Sequence, residues 1–527
     1  MSDENLEPVD NSLLMANWQR LSPLSVIFFI GKLISKVIKD MLPSLAPLGI
    51  IIFSSDNKSL IIMLVAIGAI SLILLSSFLQ YWFFKYKQEG DKILINDGVF
   101  KKNKRVITFD RIQNINILQP IYFKLFNLVT LQIQTAGAKG NEADLAGIPK
   151  ILADHLRNVI LDTHSQNIES DGDTQVEEGN QQSINEEILA KANLLDLVKY
   201  GISSNGIFWF FIILAPLAGV LDDVIKDWFT NEDMLTMINF LGGGFSGKIF
   251  AFIFSFIIVI FLMLAFSVIG AIFRYYRYRL IQTKIDSKSK TGDIENEVRL
   301  KRTSGLLTRF EESLKLNKVQ SFITKTNFIG KWIGVEHITL GQVSSGTSNQ
   351  PQKQSLFIIP ARKLNQTLSL LKNIFNDAPE KIETDAISKR YINKTIILKL
   401  FLPSLLICLP FIIANKIYWL SIVPFIISAI FFPIVYRRWK AYRYGMKNGY
   451  ARFERGLFGY RYITFPLYKV QRAEVRQSPI QRRRKLATLK VYLASNQLQM
   501  QYIPFDVANE WLIKINQAIH DDKRAWY

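Results

Sequence analysis

The chain is nearly without cysteine. Cys408 is the single one in 527 residues, so no internal disulfide can form and the folded parts need no oxidising compartment. Histidine is almost as scarce: His155, His164, His337 and His520 stand singly, without the spacing of a metal-ligand motif. No nucleophile elbow occurs, and the run Gly242-Gly243-Gly244 lacks the Lys-Ser/Thr that follows in a phosphate-cradling loop. Over the first twenty residues there is no charged-then-apolar leader, so targeting is expected from internal segments. Acidic residues are in deficit, 44 against 64 Lys and Arg, for a formal charge of +20. These absences point away from an enzyme, a metal or a cofactor, and the charge points towards an anionic partner such as a membrane surface.

What the sequence does have is apolar runs. A span needs about 20 mainly apolar residues to cross roughly 30 Å of hydrocarbon. Five runs qualify: Leu60–Phe84, Gly206–Leu221, Ile249–Phe273, Ile396–Ala414 and Ile417–Tyr436. No acidic residue lies mid-span, and Lys399 reads as an interfacial anchor that snorkels. A further crossing is expected within 23–54. There Lys32, Lys36 and Lys39 share a helical face, so the segment reads either as an interfacial helix over Pro23–Asp40 before a short apolar run or as one tilted span. About six spans in three hairpins result. The stretches after each hairpin mix Lys and Arg with Tyr and Trp, whereas the link 222–247 is acidic, so the positive-inside rule puts all three following segments in the cytoplasm. The same aromatic and basic interleaving can stack nucleic acid, but directly after a span it is the expected interfacial belt, and no nucleic-acid partner is inferred.

Those three segments are repeats. Leading glycines Gly98, Gly305 and Gly456 are followed thirteen to fifteen residues later by Arg111-Ile112-Gln113, Lys318-Val319-Gln320 and Lys469-Val470-Gln471. Each copy ends in Ile-Pro, at Ile148-Pro149, Ile359-Pro360 and Ile503-Pro504, ahead of a helical pattern. Alternation in Val129, Leu131 and Ile133 marks β-strands, and a glycine opening each unit suits a turn with positive φ. The glutamines are expected to satisfy backbone groups at strand ends, with the basic residues before them exposed. The second copy carries polar insertions at 284–297 and 344–354.

The hairpin, the aromatic–basic stretch and the motifs Gln119-Pro120-Ile121 and Gln477-Ser478-Pro479-Ile480 resemble the bacterial pleckstrin-homology (PH) domain family of the YdbS/YdbT type. Three such units in one chain look YdbT-like, and the second copy departs with Thr326-Asn327-Phe328. The resemblance implies an α+β membrane protein in which each hairpin is followed by a PH-like antiparallel sandwich or barrel capped by a C-terminal helix. It also implies a smaller single-PH-domain membrane companion and a link to envelope defence. The expected organisation is a polar tail (1–22), an interfacial helix with hairpin 1 (23–84), domain 1 (85–162), an acidic disordered linker (163–190), hairpin 2 (191–273), domain 2 (274–376), hairpin 3 (390–436) and domain 3 (437–527).

The most basic cluster is Arg482, Arg483, Arg484 and Lys485, in a stretch from Tyr436 to Tyr527 with nineteen Lys and Arg against six Asp and Glu. It reads as an anionic-lipid contact on the inner membrane; a solvated loop and a protein contact are the other readings. The expected function is a non-enzymatic scaffold presenting three PH-like domains, and the alternative is a transporter or lipid-moving protein with the hairpins as its pathway.

Overall fold

The computed structural model describes residues 17–37, 58–99, 101–135, 142–166, 185–204, 244–288, 294–342, 357–415 and 418–521. The span expected at 206–221, the part of the expected 23–54 crossing from 38 onwards, the link 222–247 up to its last four residues and the insertion 344–354 lie outside them.

Three units follow one plan. In unit 1 a short strand β1 (Gln19–Arg20) precedes helices α1 (Ser25–Lys36) and α2 (Lys58–Phe83). A meander β2 (Lys85–Glu89), β3 (Lys92–Asp97), β4 (Asn103–Thr108) comes next, then β5 (Ile112–Pro120), α3 (Ile121–Lys124), β6 (Leu128–Thr135), β7 (Ala143–Pro149) and the closing helix α4 (Lys150–Gln166). Unit 2 repeats this with β8 (Asn185–Lys191), α5 (Leu194–Ser203), α6 (Gly244–Tyr275), β9 (Arg279–Lys288), β10 (Ile294–Ser304), β11 (Thr308–Lys315), β12 (Val319–Thr326), α7 (Phe328–Ile333), β13 (Glu336–Gln342), β14 (Phe357–Arg362) and α8 (Leu364–Ile374). In unit 3 come β15 (Asp385–Ala386), α9 (Arg390–Ile396), α10 (Leu402–Asn415), α11 (Val423–Ala441), β16 (Arg443–Lys447), β17 (Tyr450–Arg455) and β18 (Tyr460–Pro466). The unit closes with β19 (Val470–Arg476), α12 (Pro479–Arg483), β20 (Leu486–Leu493), β21 (Gln497–Pro504) and α13 (Phe505–Asp521).

The alternation seen in the sequence sets the inward faces. Val129, Leu131 and Ile133 are fully buried in unit 1, as are Leu489 and Val491 in unit 3. On α13 the buried residues Ala508, Trp511 and Ile515 follow helical spacing, so one stripe caps the sheet.

The sheets do not stop at the units. β7-β6-β5 of unit 1 continues into β11-β10-β9-β8 of unit 2, and β14-β13-β12 of unit 2 continues into β18-β17-β16-β15 of unit 3. The join between units 1 and 2 pairs Pro120 with Thr308 through Asn116 with Glu312; the next pairs Thr326 with Tyr460 through Phe322 with Thr464. At roughly 1 kcal/mol net per hydrogen bond, five-residue ladders hold modestly by themselves. Interlocking cores add to the second: Ile323 of unit 2 sits in the core of unit 3, and Tyr450 of unit 3 in that of unit 2. Lys469, expected to be exposed, is buried there and donates to the Asn317 carbonyl. Its position at the joint, invisible in a single unit, is the reason.

Other expectations change. The first strand of each unit lies before the membrane helices, so the hairpins are inserted into the sheets rather than preceding whole domains. The segment expected as a disordered linker, 163–190, is ordered at its two ends, where α4 runs to Gln166 and β8 pairs with β9 through Ile188 and Ile281, and residues 167–184 lie outside those described. The polar stretch 284–297 is not a loose insertion but the extended tip of the β9–β10 hairpin, paired out to Lys288 and Ile294. Helix α1 packs Phe29 into the unit 1 core and sets Lys32 2.9 Å from Asp144, so Lys32 serves an ion pair.

Among the described residues three helices, not six, are long and apolar enough to cross a membrane: Met63–Phe83, Phe256–Tyr275 and Arg390–Pro410. α11 has 19 residues and spends its last turns on Arg437, Arg438 and Lys440, which shortens its apolar length. The third span contains a π-turn, Ile397–Phe401, that ends two residues before Pro403. Proline has no N–H for the carbonyl four residues back, and the widened turn relieves that conflict. Because strand pairing joins all three units and a sheet edge cannot pair across lipid, the units lie on one side of the bilayer.

The turn glycines are demanded locally. Gly98 and Gly305 have φ of 104° and 113°, and a Cβ at either would overlap the carbonyl oxygen three residues on, of Lys101 or Thr308. Gly456 meets the same obstacle from Gly459, without a positive φ. Gly305→Ala should therefore cost about 1–3 kcal/mol, read as a lowered unfolding temperature in detergent, whereas Gly31→Ala, with open space around it, should leave that temperature unchanged or raise it slightly.

Candidate membrane-facing site and open sheet edges

The three glutamines have a shared backbone role. Register skips from Ile112 to Asn114, from Val319 to Ser321 and from Val470 to Arg472, so Gln113, Gln320 and Gln471 are each the extra residue of a β-bulge. The side chains diverge, Gln320 being fully buried and Gln471 exposed. A bond to the backbone also comes from later in the strand. Gln119 Nε2 donates to the Leu128 carbonyl at 3.3 Å and Gln477 Nε2 to that of Leu486 at 2.9 Å. In the divergent copy Thr326 Oγ1 does the same to Val335 at 2.7 Å. Substitution of Gln by Thr thus preserves the contact that fixes the short helix behind each strand.

Those short helices bear the exposed apolar residues. Ile121, Leu125 and Phe126 stand out at α3, Phe328 and Trp332 at α7, Ile480 at α12, and Trp332 is 86% exposed. Asn327 caps α7 by accepting from the Gly330 N–H at 2.7 Å, and Ser478 caps α12 by accepting from Gln481 at 3.3 Å. The turn glycines bring neighbouring aliphatics to the ends of the spans. Gly305 N–H donates to the Tyr276 carbonyl and Leu306 N–H to that of Phe273, both at 2.9 Å, which caps α6 and leaves Leu306 and Leu307 exposed beside it. Between units 2 and 3 a cleft of about 730 Å³ combines Phe328, Trp332, Leu457 and Phe458 with Lys331, Arg437, Lys440 and Arg455. Arg437 and Lys440 belong to the last turns of α11, so this cleft opens at the membrane end of the molecule. Sequence reading missed it, since its walls come from two units; the aromatic Phe328 and Trp332 in the divergent motif were the available signal.

At the position of Trp332 in unit 2, unit 3 has Arg483. Arg482, Arg483, Arg484 and Lys485 are all exposed on and after α12, with Lys485 at a φ of 52°. Arg482, Arg483 and Arg484 stand beside the exposed Ile480.

One buried pair resembles a nucleophile and its base. Ser203 Oγ lies 3.0 Å from His337 Nε2, and Tyr200 packs edge-on against the imidazole. Ser203 also donates to the Lys199 carbonyl, and His337 Nδ1 has no hydrogen-bond partner to orient it. Burial pushes the histidine down to about 4, so the neutral ring braces α5 against β13. Among the described residues no group of three or more His, Cys, Asp or Glu gathers as metal ligands would.

Among the described residues, two strands of the kind that form the joints keep an unpaired side. β4 is bonded only to β3, and β19 only to β20. They are the equivalents of the strands that form the joints: β4 of β11 and β18, β19 of β5 and β12.

Apolar spans, sandwiched meanders with a closing helix, and apolar tips at the span ends define a transmembrane protein built on PH-like units. Residues 27–164 and 397–518 match the model of the bacterial PH domain family. It is similar to the transmembrane protein YdbT of Bacillus subtilis (strain 168), 26% identical over 402 residues, covering 74% of this chain and 76% of that protein. No solved structure matches. The family match spans units 1 and 3, while unit 2 shares their strand order.

His337 yields a pH test. Its folded-state value of about 4 lies below the ordinary 6.5, so the unfolded chain takes the proton first. Its contribution is fully present above pH 6.5 and should be lost progressively as pH falls towards 4. Thermal unfolding across that window should show the decline, and His337→Gln should flatten it.

Proposed function

We propose that the protein is a non-enzymatic membrane scaffold whose three PH-like units form one continuous platform on the cytoplasmic face of the inner membrane. The observation that carries this reading is the continuity of the sheets: units bonded edge to edge present a single surface at fixed spacing, as partner assembly requires. The basic flanks of the spans favour the cytoplasmic side. A smaller membrane protein with one such unit is a fitting partner, and envelope defence, implied by the family resemblance, is the setting proposed for it.

Anionic lipid is the second contact of this surface. Arg482, Arg483, Arg484 and Lys485 gain roughly 1 kcal/mol each when close to an anionic headgroup layer, within a Debye length of about 8–10 Å. Ile480, 65% exposed on the same short helix, supplies an apolar tip to enter the interface.

The full chain in nanodiscs of graded anionic lipid content provides the test. Ile480→Cys, in a Cys408→Ala background, would carry an environment-sensitive fluorophore. Its emission should shift to the blue as anionic lipid increases and return as salt is added. Replacing Arg482, Arg483, Arg484 and Lys485 by Gln should abolish that dependence. Emission indifferent to lipid charge would remove the lipid contact and leave protein assembly as the function of the platform.

A further inference from the structure

We infer that the open edges of β4 and β19 join copies of this chain head to tail, β19 of one copy pairing antiparallel with β4 of the next in the register of the internal joints. This inference is independent of the lipid reading.

The two joints obey one rule. Between units 1 and 2, Phe310, five residues after Gly305, lies opposite Leu118, five after Gln113. Between units 2 and 3, Ile463, seven after Gly456, lies opposite Ile323, three after Gln320. The offsets from turn glycine and bulge glutamine add to ten in both cases, although the paired residues share little chemistry. Carried to the outer strands, the rule sets Val106, eight after Gly98, opposite Ala473, two after Gln471, and Arg105 opposite Glu474. An acidic residue on one edge thus meets a basic residue on the other.

Exposure agrees. At the joints Ile117, Ile323 and Thr464 are nearly inaccessible, whereas Val106 is 55% exposed and Arg472 and Arg476 of β19 are exposed too. An unpaired edge strand is a template for another chain, and charged residues such as Lys104, Arg472 and Arg476 restrict which one. They do not forbid this one: Lys325 and Arg461 stand directly opposite each other in the second joint. Both edges belong to units held on the same side of one bilayer, so copies meet already oriented. A head-to-tail contact leaves each new copy with a fresh edge, giving a row or, if the rotation closes, a ring.

The test uses the full chain in membranes, in a Cys408→Ala background, with Val106→Cys and Ala473→Cys introduced together. Opposed residues bring their Cα atoms to about 4.5–5.5 Å, within disulfide reach, whereas residues three apart in register are well beyond it. Mild oxidation should produce a ladder of covalent multimers, at least roughly tenfold more than from Val106→Cys with Arg476→Cys. Each single variant should give no ladder. If the pair fails to reach the membrane, Lys104→Cys with Val475→Cys takes its place. The unsubstituted chain in detergent should also grow in mass with concentration. A monomer at every concentration, or equal cross-linking from the mismatched pair, would overturn the proposal.

Discussion

Two short ladders of backbone hydrogen bonds, joining 116–120 to 308–312 and 322–326 to 460–464, govern much of the architecture. Each PH-like unit presents two edges of the joint-forming kind, the last strand of its first sheet and the first strand of its second, and where units adjoin these edges close on each other. The ladders alone supply only a few kcal/mol. Rigidity comes from what the pairing brings into contact. Buried Arg302, 2.8 Å from Glu312 and over the Phe357 ring, ties the second unit's meander to its other sheet, and Glu311 reaches Arg157 of the first unit's closing helix at 3.6 Å. Because these charges are buried or half-buried and paired, losing one partner would strand the other in low dielectric.

The insertion of membrane helices within the first sheet of each unit has mechanical consequences. β8 enters the sheet, the chain leaves for the membrane, and β9 returns to pair beside it. Helix α5 crosses α6 with Gly201 close against Val268, an approach that a side chain at Gly201 would block. Ser267 Oγ donates to the Gly201 carbonyl at 2.7 Å, and His337 then ties the same helix to β13. Movement of a span is thus coupled to the sheet, and through the joints to the other units.

Chemistry along the membrane face changes from unit to unit while the backbone plan stays constant. The same position is Leu125 in the first unit, Trp332 in the second and Arg483 in the third. The first two are exposed and apolar, and the third is exposed and charged. The site is therefore graded from unit to unit, and the basic cluster belongs to the third.

Much was legible in the sequence. Hydrophobic runs marked the spans at 60–84 and 249–273, because a lipid-facing helix must be apolar throughout. The repeats marked the strands, and the glycines their turns, since those requirements are local. The bulge at each glutamine was visible as a recurring triplet but not as a bulge, because an extra residue shows only against a partner strand. Lys469 read as exposed and is buried, Lys32 read as one of three lysines on a single helical face and pairs with Asp144, and the cleft around Trp332 was not foreseen. Each depends on residues far apart in the chain. By itself the sequence determined which segments are apolar, which alternate and where the backbone must turn, all properties read within a few residues. Tertiary structure alone decided that the first strand of each unit lies before its hairpin and that the units share sheets, because strand pairing depends on which edges meet in space.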